Sequence, residues 1–176
     1  MKKFQKKETK KNNNKGFTLL ETIIAIFVIS VGLVGVAAII FQIFALASIS
    51  SNDLIASYLA QEGIEIVRNI RDGNWLEQRN NPAILWTDGL TFGQWEGDFT
   101  NMQNLTPWTG AGRHLNIDVN GFYSHASGTP TRFQRKITIS EGPAPGESIN
   151  VRVEIFWSER GRDHRFESQT KLYNWR

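Results

Sequence analysis

Lys15-Gly16-Phe17-Thr18-Leu19-Leu20-Glu21 is the stretch on which the reading of this chain turns. It joins a lysine-rich, largely polar leader to a long apolar run, and it sets one carboxylate near the start of that run. Residues 1–16 carry seven lysines, at positions 2, 3, 6, 7, 10, 11 and 15, against one acid, Glu8, and include Asn12-Asn13-Asn14. Such a segment cannot build a core and is expected to be disordered. Its positive charge holds it on the cytoplasmic side of a membrane. Ile23 to Phe41 follows with Ser30 as its single polar side chain. That run is about the ~20 residues needed to cross a bilayer as a helix. In an ordinary secretory signal the apolar segment precedes the cut and is discarded. Here a cut after Gly16 lies before it, and the apolar helix is retained.

Glu21 needs an explanation, because a carboxylate near hydrocarbon costs a few kcal/mol. One is a capping box, since Thr18-Leu19-Leu20-Glu21 fits [ST]-x-x-[DE] ahead of an apolar run. The other is ionic. Cleavage after Gly16 creates an α-amino group on Phe17, and in a packed bundle Glu21 of one subunit could meet the Phe17 amine of a neighbour. A buried charge is tolerated when it gains a partner. The capping box accounts for neither the leader nor the Gly16-Phe17 junction.

The basic leader, the Gly16-Phe17 junction and the acid in an apolar helix together resemble the processing site of type IV prepilins. The resemblance covers roughly the first two fifths of the chain. It implies cleavage after Gly16 by prepilin peptidase, N-methylation of Phe17, and assembly with other pilin subunits by a platform and ATPase. Thr18 and Glu21 are the residues expected to serve assembly. Leu59 to Asp72 also resembles minor, pilus-modification-type pilins. Two departures stand out: there is no cysteine for a C-terminal disulfide loop, and no proline from Phe17 to Asn81 to kink the helix.

Charge and composition exclude several function classes. The formal net charge of +3 invites a nucleic-acid reading, but 7 of the 20 Lys and Arg and only 1 of the 17 Asp and Glu lie in the leader. From Phe17 onward, 13 cationic side chains face 16 anionic ones, a net −3. With no basic cluster outside the leader, nucleic acid is not an expected partner. The absence of cysteine removes zinc–thiolate sites and thiol catalysis. His114, His125 and His164 lack metal-ligand spacing, and neither a nucleophile elbow nor a phosphate-binding glycine loop is present. No enzyme, cofactor, catalytic residue or metal site is expected.

Along the chain we expect a leader over 1–16 and a membrane or filament-core helix over 17–50. An amphipathic continuation runs over 51–72, and a globular head over 73–176. Ile55, Leu59, Ile66 and Ile70 form one helix stripe with Gly63, Ile64 and Val67 beside it, opposite Ser57, Gln61, Glu65, Arg68 and Asp72. Asp72-Gly73 reads as the helix stop, with Gly73 at C′. Gly32 and Gly35 thin the apolar half: a close helix contact, a weak point, or ordinary membrane-helix glycine.

Residues 74–125 read as a loop-rich region with short strands near Leu90–Phe92 and His114–Val119. Trp75, Trp86, Trp95 and Trp108 recur there beside Asp88, Glu96 and Asp98. Packing is the main expectation for the indoles; sugar stacking or a calcium site is the alternative, and EF-hand spacing is lacking.

Period-two alternation marks antiparallel strands over about 131–173. Phe133, Arg135, Ile137 and Ile139 share one face. Val151, Val153, Ile155 and Trp157 share another, as do Phe166, Ser168, Thr170 and Leu172. Arg135 interrupts its apolar face and should pair with an acid or lie at the sheet edge. The expected fold is α+β, a long N-terminal helix laid on a C-terminal antiparallel sheet.

Two other machines fit this reading: a pseudopilin of a type II secretion system, or a competence pilus. An uncleaved, membrane-anchored glycan-binding module is the alternative of a different class. The expected location is the cytoplasmic membrane before assembly, then an extracellular filament or periplasmic pseudopilus.

Overall fold

The computed structural model describes residues 16–101, 104–110 and 112–175. The leader up to Lys15 lies outside them. Contacts divide the chain into two units, one ending at Ser48 and one beginning at Ile49. Helix α1, Leu19–Gln78, contributes to both.

In the first unit the described side chains of residues 16–47 are all exposed, although most are apolar. The helix forms because straight-chain and β-branched apolar residues follow one another without proline, so every interior backbone group bonds within the helix. The Ser30 hydroxyl is accommodated by donating to the Ile26 carbonyl at 2.7 Å. A Cβ at Gly32 or Gly35 would meet nothing within 4 Å.

The second unit is the α+β arrangement expected. After α1 come β1 (Gly93–Glu96), a 3-10 turn (Phe99–Asn101), β2 (Thr106–Pro107), β3 (His114–Ile117) and β4 (Tyr123–Ser124). Three long strands follow: β5 (Thr129–Glu141), β6 (Ser148–Glu159) and β7 (Arg162–Tyr173). All pairings are antiparallel. β5 is the hub: it pairs β6 along one side, and on the other β3 through its first half and β1 through its second. β6 and β7 run in unbroken register from Ser148↔Tyr173 to Glu159↔Arg162. Their hairpin turns on Arg160 (φ 52°) and Gly161 (φ 74°), the paired left-handed conformations that a tight two-residue turn requires. β7 bonds only β6 among the described strands and leaves one edge open.

The inner sheet face carries Phe133, Ile137, Ile139, Val151, Val153, Ile155, Trp157 and Leu172, all buried, as the alternation required. Against it lie helix positions Ala56, Leu59, Ala60, Gly63, Ile66, Val67 and Ile70, spaced three and four apart. Small residues mark the closest approach. A Cβ on Gly63 would fall 2.8 Å from Val153 Cγ1 and 3.1 Å from Arg135 Cδ. Ile55 and Ile64, read as part of the stripe, are half-buried at its margins.

Two expectations are corrected. The helix does not stop at Asp72-Gly73; Gly73 is helical and α1 continues to Gln78. A glycine inside a helix costs about 1 kcal/mol relative to alanine. What lies beyond it offsets that cost: Trp75 is buried, and the Asn74 amide donates to the carbonyls of Trp86 (3.2 Å) and Asp88 (2.7 Å). The strand expected at Leu90–Phe92 lies at Gly93–Glu96 instead. Leu90 closes a turn through its N–H to the Thr87 carbonyl, 2.8 Å, and Phe92 is exposed.

Candidate functional site

The N-terminal junction is built by one threonine. Gly16 and Phe17 precede the helix, and Phe17 is 82% exposed, which leaves the peptide between them open. Thr18 is the N-cap. Its Oγ1 accepts the N–H of Glu21 at 3.3 Å, while its carbonyl accepts the N–H of Thr22 at 3.2 Å and the Thr22 hydroxyl at 3.2 Å. This is one half of a capping box. The other half is missing: the Glu21 carboxylate makes no hydrogen bond or ion pair with any described residue. Its charge is placed favourably against the helix dipole, an effect of about 0.3–1 kcal/mol. It remains an exposed acid in the first turn of a helix that carries no other charged side chain over its next two dozen residues. That helix is long and apolar enough to cross a membrane.

The acids of the loop-rich region are engaged internally. Asp88 Oδ2 accepts the Leu85 N–H at 3.0 Å. Glu96, 1% exposed, accepts Arg113 N–H at 2.8 Å and Arg113 Nε at 2.6 Å. Asp98 accepts the Thr100 hydroxyl and N–H and the His125 N–H. Burial alone would raise the Asp98 pKa, but these donors outweigh it and hold the carboxyl below its ordinary value. Among the described residues no His, Cys, Asp and Glu cluster could hold a metal ion. Trp75 and Trp86 are buried in the core and Trp95 packs against it, so packing accounts for three of the four indoles. Trp108 lies on the opposite sheet face, against Phe156.

Two residues that sequence reasoning left without a firm role prove central. Arg135 is not at an edge. It is fully buried on the hub strand and donates to the carbonyls of Gly97 (3.0 Å) and Leu59 (3.0 Å) and to Glu62 (3.3 Å). An arginine in an apolar alternation was the available signal. His125 holds both ring nitrogens buried without a partner among the described residues. Desolvation is the main cause that pushes its pKa below the ordinary value, with the nearby Arg113 cation adding to it. Its backbone N–H bond to Asp98 gives it a place, and no sequence pattern announces that.

Residues 11–37 match the family model of the prokaryotic N-terminal methylation motif. No curated protein and no solved structure matches the chain. The motif supports a type IV pilin-like prepilin, which implies processing by prepilin peptidase and assembly with other pilins, and it agrees with a membrane-anchored precursor. Together with the helix-plus-sheet fold it indicates a structural protein of the pilin type rather than an enzyme.

Proposed function

We propose that this chain is a filament subunit, a minor pilin, cut after Gly16 and N-methylated on Phe17. The leader 1–16 is the removed cap, 17–50 the core of the filament, 51–72 its amphipathic continuation, and 73–176 the displayed head. The observation that carries this is the Glu21 carboxylate, without a partner among the described residues, at the start of an apolar helix whose described side chains, to residue 47, are bare. Both features are costly in isolation and both are relieved by one event. In a bundle of such helices the apolar side chains exchange lipid for neighbouring subunits, and Glu21 receives a neighbour's Phe17 ammonium. Thr18 caps the helix and leaves the Glu21 carboxylate free for that pairing. A minor rather than a major role rests on the tryptophan-rich head and on the likeness of Leu59 to Asp72 to modification-type pilins.

The test is mass spectrometry of the N-terminus in membrane and sheared-filament fractions. Methyl-Phe17 in filaments, at low stoichiometry to another subunit, is the expected result. A Met1 terminus in every fraction refutes the proposal and favours an uncleaved anchor. Methyl-Phe17 found only in the cell envelope favours a pseudopilus.

A further inference from the structure

The face of the sheet turned away from α1 divides by charge. The register across β7, β6, β5 and β1 lays Gln169, Arg152, Thr138 and Gln94 in one row, and Lys171, Asn150 and Ser140 in the row beside it. Hydroxyls, amides and two cations make up both rows, with no carboxylate. The row on the other side, Glu167, Glu154 and Lys136, holds acids. They are outnumbered: Glu154 takes Lys136 and Arg165, each at 2.7 Å, while Glu167 takes Arg152 at 3.1 Å and Arg165 as well. Three cations share two carboxylates, so the network carries one positive charge in excess. Lys171 adds a second, since its ammonium meets no partner among the described residues. The further acid at an outward position of β7, Asp163, is eight residues along the strand from Lys171, roughly 27 Å at the rise of a strand. The surplus therefore stands over the acid-free rows. A groove of about 610 Å³ lies there, and its lining includes Thr138, Ser140, Asn150, Arg152, Gln169 and Lys171.

We infer that this groove binds a carboxylate-bearing polysaccharide, a polyuronate. Two uncompensated charges call for an anion. Arg152 meets Glu167 through Nε, and its Nη1–Nη2 edge donates to no described residue. A guanidinium edge of this kind takes a carboxylate through two parallel hydrogen bonds. Lys171 is its diagonal neighbour across β6 and β7, about 7–8 Å away at the backbone, so both cations reach one stretch of ligand. The rest of the lining suits hydroxyl groups. The side chains of Thr138, Ser140 and Gln169 bond no described residue, and Asn150, whose amide donates to the Glu141 carbonyl at 2.7 Å, keeps its oxygen as an acceptor. These groups both donate and accept, as sugar hydroxyls do. A phosphate polymer offers acceptors alone and would leave the amide oxygens unserved. A nucleic acid is further disfavoured because no aromatic side chain lines the groove to stack a base. The floor is firm: β5, β6 and β7 pair through these rows in unbroken register. The inference is independent of whether the chain enters a filament.

The experiment uses the full isotope-labelled chain in polyoxyethylene-ether micelles at about 0.15 M salt. The probe is hexagalacturonate, with cellohexaose as the neutral comparison and hexathymidylate as an anion of like charge. The readout is the NMR shift of the Arg152 Nε–H and of the Gln169 and Asn150 side-chain amides, which leaves binding by the leader lysines out of the measurement. Hexagalacturonate is expected to move these signals saturably, and cellohexaose to leave them in place. Lys171→Gln removes an exposed charge with no internal bond to lose, and is expected to weaken binding about threefold or more at an unchanged unfolding temperature. Arg152→Gln removes the two-bonded contact and should weaken it about tenfold. Arg160→Asn takes the same charge from the β6–β7 turn, where the left-handed φ suits asparagine, and should leave affinity as it is. Signals that do not saturate with hexagalacturonate, an affinity untouched by Lys171→Gln, or cellohexaose or hexathymidylate bound as tightly each overturns the inference.

Discussion

Arg135 Nη1 lies 3.0 Å from the carbonyl oxygen of Leu59, which ties the hub strand of the sheet to the helix backbone through a fully buried cation. Glu62, adjacent to packed Gly63 and partly exposed, neutralises it at 3.2 Å. Four acceptor atoms on three residues thus converge on one guanidinium. Removing the acid leaves the cation buried with only carbonyl dipoles for company, a change that costs about 3–5 kcal/mol in buried pairs. Glu62 retains some solvent access, so we expect Glu62→Gln to fall below that range and Arg135→Ala, which also opens a cavity, to reach it. Arg135→Met, which refills the space with apolar atoms, should recover much of the loss. Urea unfolding of the three variants checks the order, and a loss for Arg135→Met equal to that for Arg135→Ala contradicts it.

Two glycines of the same helix should respond in opposite directions. At Gly63 an alanine Cβ falls 2.8 Å from Val153, which is wholly buried and cannot yield freely. Overpacking of about 1–3 kcal/mol should exceed the gain in helix propensity of ~1 kcal/mol. At Gly73 the Cβ meets nothing within 4 Å and the backbone is helical. Gly73→Ala is therefore expected to stabilise by about 0.5–1 kcal/mol. Had Gly73 been the left-handed cap that its sequence context suggests, the same change would destabilise. Thermal unfolding of the two variants decides.

The acid sensitivity of the head should centre on His125. Its pKa in the folded chain lies below 6.5, so above that pH the ring is neutral both folded and unfolded and contributes no difference. As the pH falls below 6.5 the unfolded chain takes up the proton first, and stability declines until the folded pKa is passed. Arg113 reinforces this trend, Glu96 and Asp98 oppose it, and Arg135 adds to it least. His125→Phe removes two buried nitrogens that have no partner and keeps the backbone bond to Asp98. The melting temperature of the variant should vary less between about pH 6.5 and 5 than that of the parent. Asp98 acts in a separate, lower window: its contribution is present above 3.8 and is lost as the pH falls through its depressed value. Equal slopes for parent and variant would remove His125 from the account.

Glu21→Gln keeps the shape of the first turn and the Thr18 cap while removing the charge. Membrane accumulation should be unchanged, because a neutral side chain inserts at lower cost. Incorporation into filaments should fall about tenfold or more, the least that loss of one pairing in a low dielectric implies. Quantifying the chain in sheared filaments against whole membranes measures both terms. Undiminished incorporation rules out the ion pair.

How far the sequence spoke depended on the range of the signal. Lys15 to Glu21 and the apolar run after it are local, and they carried both the helix and the motif. Alternation in residues 133–139, 151–157 and 166–172 is also local, and the three long strands lie where it placed them. Failures came where a distant partner decides. Gly73 stays helical because Trp75 and Asn74 find partners in residues 86–88 and 174. β1 begins at Gly93 rather than Leu90 because the edge of β5 offers its bonds at Ile137–Ile139. The two-residue strands β2 and β4 are too short for any period to show. For the N-terminal junction the residue types were legible, but which half of the capping box forms was not, since that depends on a rotamer.

The open edge of β7 carries twelve residues in perfect register, with no proline, bulge or covering segment among the described strands. What discourages a stray strand from docking there is the run of alternating ionic side chains at 162, 163, 165, 167 and 171. Such a deterrent weakens as ions accumulate in the medium. The head's resistance to clumping is therefore set by its surroundings as much as by its own architecture, and brine should erode it.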